Sequence, residues 1–353
     1  MCEVMKKKLM LLIFSILLFS CKPIQVSERK FFTNVKIDTL LREKISVRSI
    51  TVSSDKVWYG ADKNRVGFVS LIDDNKFERT INKDSLKLEF RSIAQTINSI
   101  FILNVGNPAF LYKFSKNINE KSIVYEEHND KVFYDSLQFW NDKEGIAIGD
   151  PIENCLSLLI THDGGLTWTK IQCDKLPKVV EGEAAFAASN TNIVIRGNLT
   201  WIVSGGKKSR VFYSPNKGNS WNVYDTPIIQ GEAMTGIFTA DFYNDKIGFI
   251  AGGNYEKQSQ NFQNKALTID GGKTWKLVGE NVGFGYASCV QFVPNSSGEQ
   301  IVSVGTSGLF YSKDKGTTWK QLSSDNSLFT IRFIDNKTAI AAGKDKIIRI
   351  IFF

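Results

Sequence analysis

Arginines at positions 48, 91 and 210, carboxylates at 135, 150 and 183, the amide of Asn107 and the phenol of Tyr286 are the side chains of this 353-residue chain with chemistry to offer. An arginine fork grips a carboxylate or phosphate through two parallel hydrogen bonds. Two carboxyl groups held in different protonation states can serve as a general acid and a general base, and an activated phenol can serve as a nucleophile. Glu183, Asp135 and Tyr286 are therefore the catalytic candidates, should the protein run a reaction. Arg48, Arg91, Asn107, Asp135, Asp150, Glu183 and Arg210 are the ligand-binding candidates. The same residues admit a plainer reading. Charges gathered at a packed centre are costly unless paired or wet, so they could equally form salt bridges between neighbouring elements and satisfy backbone groups there.

Several chemistries lack their parts. His128 and His162 are the only histidines, too few for a multi-histidine metal centre, and neither is placed for a Ser-His-Asp triad. No metal site is expected. Nor is a cofactor, because no Gly-x-Gly-x-x-Gly turn and no flavin, nicotinamide, quinone or haem motif is present. The net charge of +8 includes Lys6, Lys7 and Lys8, and lysines such as Lys113, Lys116, Lys207 and Lys208 alternate with acidic residues. That is a solvated surface, and without zinc spacing, a helix-turn-helix or a basic helix it does not point to nucleic acid.

The elements that must position these residues are short strands. With 42% hydrophobic residues, 12% aromatics and 27 glycines, the chain reads as strands joined by tight turns. Four segments repeat Ser/Thr-x-Asp/Asn-x-Gly-x-Ser/Thr-Trp: Thr161–Trp168, Ser214–Trp221, Thr268–Trp275 and Ser312–Trp319. In each, the Asp or Asn (Asp163, Asn216, Asp270, Asp314) closes a turn by accepting backbone N–H groups. The Gly supplies a positive φ. The Trp (Trp168, Trp221, Trp275, Trp319) buries a large apolar body between sheets. These residues are read as structural. A second repeat, an apolar strand ending in Gly, recurs at Gly60, Gly106, Gly149, Gly205, Gly252, Gly305 and Gly343, in steps of 38 to 56 residues.

Each such strand follows another, at Val47–Val52, Phe90–Thr96, Tyr134–Trp140, Ala184–Ala188, Ile237–Phe242, Ala287–Val293 and Phe329–Ile334. Periods of this size predict a propeller. The expected fold is all-β: seven four-stranded antiparallel blades, with a lone N-terminal strand at Thr33–Leu40 completing the last blade and hiding its edge. Arg48, Arg91, Asp135 and Glu183 then begin the inner strands of their blades. Asn107, Asp150 and the segment to Arg210 share their face, opposite the box turns, and Tyr286 joins them around a central channel.

The repeats resemble the Asp-box (bacterial neuraminidase) superfamily over the whole mature chain. Gly106-Asn107-Pro108-Ala109, Gly149-Asp150-Pro151, Glu181-Gly182-Glu183-Ala184-Ala185-Phe186-Ala187-Ala188-Ser189 and Thr235-Gly236-Ile237-Phe238 are similar to photosystem-II stability and assembly factor-like lipoproteins. That resemblance implies a binding or assembly module. Sialidases share the boxes, and imply three arginines around a substrate carboxylate, a Tyr nucleophile supported by Glu and an Asp acid/base. Arg48, Arg91, Arg210, Tyr286, Glu183 and Asp135 could fill those roles, but the Arg-Ile-Pro motif of the first sialidase arginine is missing.

Lys6–Lys8 precede the apolar run Leu9–Phe19 and then Ser20-Cys21. A basic patch, a short apolar core and a small residue before a cut make a signal peptide, too short to span a bilayer. Cys21 makes it resemble a lipobox. The expected organisation is a signal peptide at 1–20, a lipidated Cys21, a tether at 22–32 and the propeller at 33–353. Lys22 resembles the sorting signal for the outer membrane. A cleaved signal with an incidental cysteine is the alternative. Outside the cytoplasm disulfides are permitted, and Cys155 and Cys173 stand symmetrically about Gly164. They form either a cross-strand bridge or two buried thiols. The expected function is an exported, membrane-anchored binding module taking a protein or glycan at its channel face. The alternative is a glycan-active hydrolase.

Overall fold

Each Asp box builds its hairpin turn from its own side chains. In the computed structural model, which describes residues 31–53, 55–117 and 120–353, the Thr161 hydroxyl donates to Asp163 Oδ1 (2.8 Å) and accepts the Gly165 amide (3.0 Å). Asp163 also accepts the Leu166 and Thr167 amides (2.9 and 3.0 Å) and the Thr167 hydroxyl (2.6 Å). Burial pushes the Asp163 carboxyl up, but these donors outweigh it and bring the pKa down to about 2. Asp270 and Asp314 repeat the pattern. The indole N–H groups of Trp221, Trp275 and Trp319 donate to the box glycine carbonyls at 218, 272 and 316. The four box tryptophans each pack into an apolar cluster shared by two neighbouring sheets.

The described strands form six antiparallel sheets. Four are four-stranded. One begins with Phe90–Gln95, one with Tyr134–Phe139, one with Ile193–Arg196 and one with Cys289–Phe292. A six-stranded sheet holds Thr235–Phe242 and Gly248–Asn254 together with the two-residue strands Glu183–Ala184 and Gly205–Gly206. The other six-stranded sheet runs in the order Leu328–Phe333, Thr338–Phe352, Val35–Val52, Lys56–Ala61, Arg65–Ser70, Lys76–Thr80. Inner strands stand side by side round one axis. Val35–Val52 neighbours Phe90–Gln95, which neighbours Tyr134–Phe139, and Leu328–Phe333 returns to Val35–Val52.

Two expectations are corrected here. The propeller has six sheets rather than seven separate four-stranded blades, and no separate closing N-terminal strand is described. Residues 33–40 do not form an element of their own. They enter an unbroken 18-residue strand, Val35–Val52, whose first part pairs with Thr338–Phe352 (Val35 opposite Phe352) and whose second part pairs with Lys56–Ala61. The physical reason is that backbone pairing passes straight through a register shift between Arg42 and Ser46, so what the sequence punctuates as two blades is one hydrogen-bonded sheet. Phe32 is already buried against Tyr311 and Phe352, with ring centroids 5.0 Å from each. Residues Phe32–Phe353 form one compact unit.

Cys155 and Cys173 are bonded across the hairpin, with Cα atoms 5.7 Å apart, and Cys289 is buried with a free thiol. Among the described residues no helix is long and apolar enough to cross a membrane. The signal segment 1–20, Cys21 and residues 22–30 of the expected tether lie outside the described residues.

Candidate functional site

The inner strands carry β-bulges at equivalent places. Val47 pairs with Ala61 and Ser49 with Gly60, which leaves Arg48 as the extra residue. By the same count the extra residues elsewhere are Arg91, Asp135, Phe238 and Phe329. A bulge bends its strand and re-aims the side chain it carries. The glycines that end the paired second strands make room for this. A Cβ on Gly252 would lie 2.0 Å from the Gly236 carbonyl oxygen, and one on Gly343 would lie 1.9 Å from that of Ser327. At Gly60, Gly149, Gly252 and Gly343 the Gly-ended repeat is thus the partner of the bulge.

The bulges at Arg48, Arg91 and Phe238 turn their side chains into a cavity of about 380 Å³, whereas Asp135 and Phe329 do not line it. Arg48, Arg91, Asp150 and Tyr286 all line it, as the sequence pattern anticipates. One wall is aromatic. Phe186 stacks on Phe238 (3.9 Å, 7° between planes), and Tyr286 meets Phe238 edge-on (4.8 Å) and Tyr255 edge-on (5.2 Å). Arg48 lies 4.2 Å over the face of Phe329 and has no hydrogen-bond or carboxylate partner among the described residues. Burial, and then the charge of Arg91, press its guanidinium below the ordinary value; it remains a cation. Arg91 is held by Glu89 (Nε 3.1 Å, Nη2 2.7 Å).

Two carboxyl groups sit together here. Asp150 accepts the Ala185 amide (2.9 Å), and burial raises its pKa to about 6. Asp135 is fully buried, and among the described residues the Ala187 backbone amide is the one donor that reaches its carboxyl. Burial above all, then the Asp150 charge, holds it well above the usual carboxylate range, and Arg91 opposes them only in part. Burial raises the Tyr286 phenol too, so it is a neutral hydrogen-bonding wall.

Other expected site residues are elsewhere. Glu183 does not begin an inner strand; Ile193–Arg196 takes that place. Its carboxylate is closed off, accepting Arg210 Nε (2.9 Å) and Nη2 (2.5 Å), the Ser204 hydroxyl (2.6 Å) and the Val180 amide (3.1 Å). Arg210 also donates to the Lys178 carbonyl (2.9 Å). Neither residue lines the cavity. Asn107 joins two rim loops, donating to Asp130 Oδ1 (3.1 Å) and accepting the Asn129 amide (3.2 Å). These three are engaged in contacts within the fold.

The segment read as the strand Ala184–Ala188 is instead a plug. Ala184–Ala188 wall the cavity, and the residues after them cross the axis. Ser189 Oγ donates to the Ser288 carbonyl (2.7 Å), and the Ser189 carbonyl accepts Arg332 Nη2 (3.0 Å). Asn190, in the left-handed region at φ 60°, donates to the Ile93 carbonyl (2.8 Å) and accepts the Leu137 amide (2.9 Å). Thr191 donates to Thr239 Oγ1 (2.8 Å). These partners lie in or beside the inner strands of different sheets, so the plug laces the hub together. A second cavity of about 330 Å³ includes Asn190, Gln95, Gln138 and Arg332 in its lining. Two sequence signals could have revealed the plug. The step from Gly149 to Gly205 is the longest of the set, and Ala-Ala-Phe-Ala-Ala-Ser is small enough to thread a crowded axis.

An all-β propeller of Asp-box hairpins, with a blind, arginine-bearing pocket at its hub, is the class this fold and site define. No protein-family model and no curated protein matches the chain. Solved structures do match. YCF48 bound to D1 peptide is 12% identical, with a TM-score of 0.63, covering 92% of this chain and 98% of that one. YCF48 from Cyanidioschyzon merolae is 11% identical, with a TM-score of 0.63, covering 90% and 98%. The GH74 enzyme of Niastella koreensis is 14% identical, with a TM-score of 0.56, covering 88% of this chain but 43% of that one. At such identities the likeness establishes the propeller fold. Among the described residues no group of three or more His, Cys, Asp or Glu could hold a metal ion.

Proposed function

We propose that this chain is an exported binding module, held by a lipid on Cys21 at the outer membrane, which engages a protein segment at the hub cavity. One observation carries the reading: the Arg48 guanidinium is half-buried in an aromatic-walled pocket without an acidic partner among the described residues. A cation so placed is suited to a ligand's acidic group. The likeness to YCF48, solved with a D1 peptide bound, supports a peptide-sized partner. The sequestration of Glu183 removes one of the two carboxylates on which turnover would depend.

The test uses the full lipidated chain in its own membrane, with a photo-crosslinker at Tyr255, on the cavity rim, or at Leu166, on a box turn. A discrete adduct from Tyr255, absent from Leu166 and weakened by Arg48→Met, is expected. Adducts from Leu166 alone would refute the reading.

A second reading, a glycan-active hydrolase, draws on the GH74 likeness and on the Asp135–Asp150 pair. Saturable turnover of any glycoside by the wild type, lost in Asp150→Asn, would establish it in place of the first.

A further inference from the structure

The two arginines of the cavity keep different company. Arg91 is committed to Glu89, whereas Arg48 lies over the face of Phe329 and makes no hydrogen bond among the described residues. Asp150 lies on the same cavity wall, one oxygen fixed by the Ala185 amide. While Asp150 is ionised, an entering anion meets a like charge at low dielectric; once it is protonated, that repulsion is gone and Arg48 faces the ligand, with Arg91 beside it still paired to Glu89. The remaining groups around Asp150 are Asp135 buried beside it, Glu89 on Arg91, and the phenols of Tyr255 and Tyr286. The stacked Phe186–Phe238 pair offers a flat apolar surface next to the charges.

We propose that the hub cavity is a proton-linked anion site: a carboxylate carried on a flat apolar body binds against Arg48 and Arg91, and one proton is taken up at Asp150 as it enters. The anion and the proton arrive together, Asp150 becomes a carboxylic acid, and no bond to the ligand forms or breaks. The carboxylate can belong to a free acid or to an acidic side chain of a protein segment. The inference rests on the hub being the binding face.

Calorimetry on the full chain tests it, with 2-naphthoate, its neutral amide and the capped peptide acetyl-Phe-Glu-amide as probes. With Asp150 titrating at about 6, naphthoate should bind roughly 20-fold more weakly at pH 7.5 than at pH 5.5, with proton uptake in buffers of different ionisation heat. The amide should not bind. Asp150→Asn should bind at pH 7.5 as the wild type does at pH 5.5, and Arg48→Met should bind at least about tenfold more weakly at both. Binding of the peptide but not naphthoate, with the same pH dependence, supports the site with a protein segment as the source. Equal binding of acid and amide, or pH-independent binding by the wild type, overturns the inference without recourse to any variant. So does failure of both acids at pH 5.5; persisting crosslinks from Tyr255 would then leave the binding-module reading standing.

Discussion

Replacing Arg210 by methionine isolates the role of Glu183. The Glu183 side chain has no exposed surface, and Arg210 supplies two of its four hydrogen bonds, at 2.9 and 2.5 Å. Arg210→Met leaves a buried carboxylate with one hydroxyl and one amide, and strips the Lys178 carbonyl of its donor. Removing one partner of a buried pair costs about 3–5 kcal/mol, because the other charge stays desolvated. With an unfolding entropy of about 2.1 cal/mol/K per residue over roughly 320 residues, that is a fall in Tm of about 4–8 °C. Adding Glu183→Gln removes the stranded charge, so the double variant should recover most of the loss. Urea titration and thermal melts of the wild type, both single variants and the double give the full cycle. If Arg210→Met lies within about 1 kcal/mol of the wild type, or the double variant is no better than it, Glu183 is not the structural carboxylate described here and its candidacy for acid/base work reopens.

Lys265 is fully buried, donates to Asn261 Oδ1 and Asn264 Oδ1 (both 2.7 Å), and is brought down by burial to a pKa of about 8. Between pH 8 and the ordinary lysine value the unfolded chain binds more protons than the folded one. Stability should therefore rise across that window, by about 3 kcal/mol in all, and urea midpoints at pH 7.5 and 10 should show the rise in the wild type but not in Lys265→Met. The Cys155–Cys173 bridge closes a loop with a sequence separation of 18; replacing both by serine should cost about 3 kcal/mol in the same titration. A Cβ at Gly252 would meet the Gly236 carbonyl at 2.0 Å, whereas one at Gly106 meets nothing within 4 Å. Gly252→Ala should cost about 1–3 kcal/mol or more and disturb the bulge at Phe238, while Gly106→Ala should melt like the wild type.

How much of the site could be read in advance follows from the range of the forces that built it. Arg48, Arg91, Asp150 and Tyr286 could be brought together on paper because they occupy equivalent or adjoining places in a repeat, and a repeat transmits geometry from one unit to the next. Strand alternation does not place Glu183, because its position depends on Arg210, 27 residues away. The aromatic wall is not legible in the sequence, because Phe186, Phe238 and Tyr255 look like ordinary core residues until a bulge and a plug turn them towards one cavity.

The Asp-box hairpins follow from local residues, since a hydroxyl, a carboxylate and two amides within about five residues of one another satisfy each turn without help from elsewhere. So do the apolar strands and their spacing. Tertiary structure alone decided that Val35 pairs with Phe352 and merges the chain ends into one sheet, and that Ser189–Thr191 crosses the axis. It likewise decided that Asp135 is buried beside Asp150. Each of these outcomes depends on groups from distant parts of the chain competing for the same small hub, where burial raises the cost of every unmade hydrogen bond and every unpaired charge.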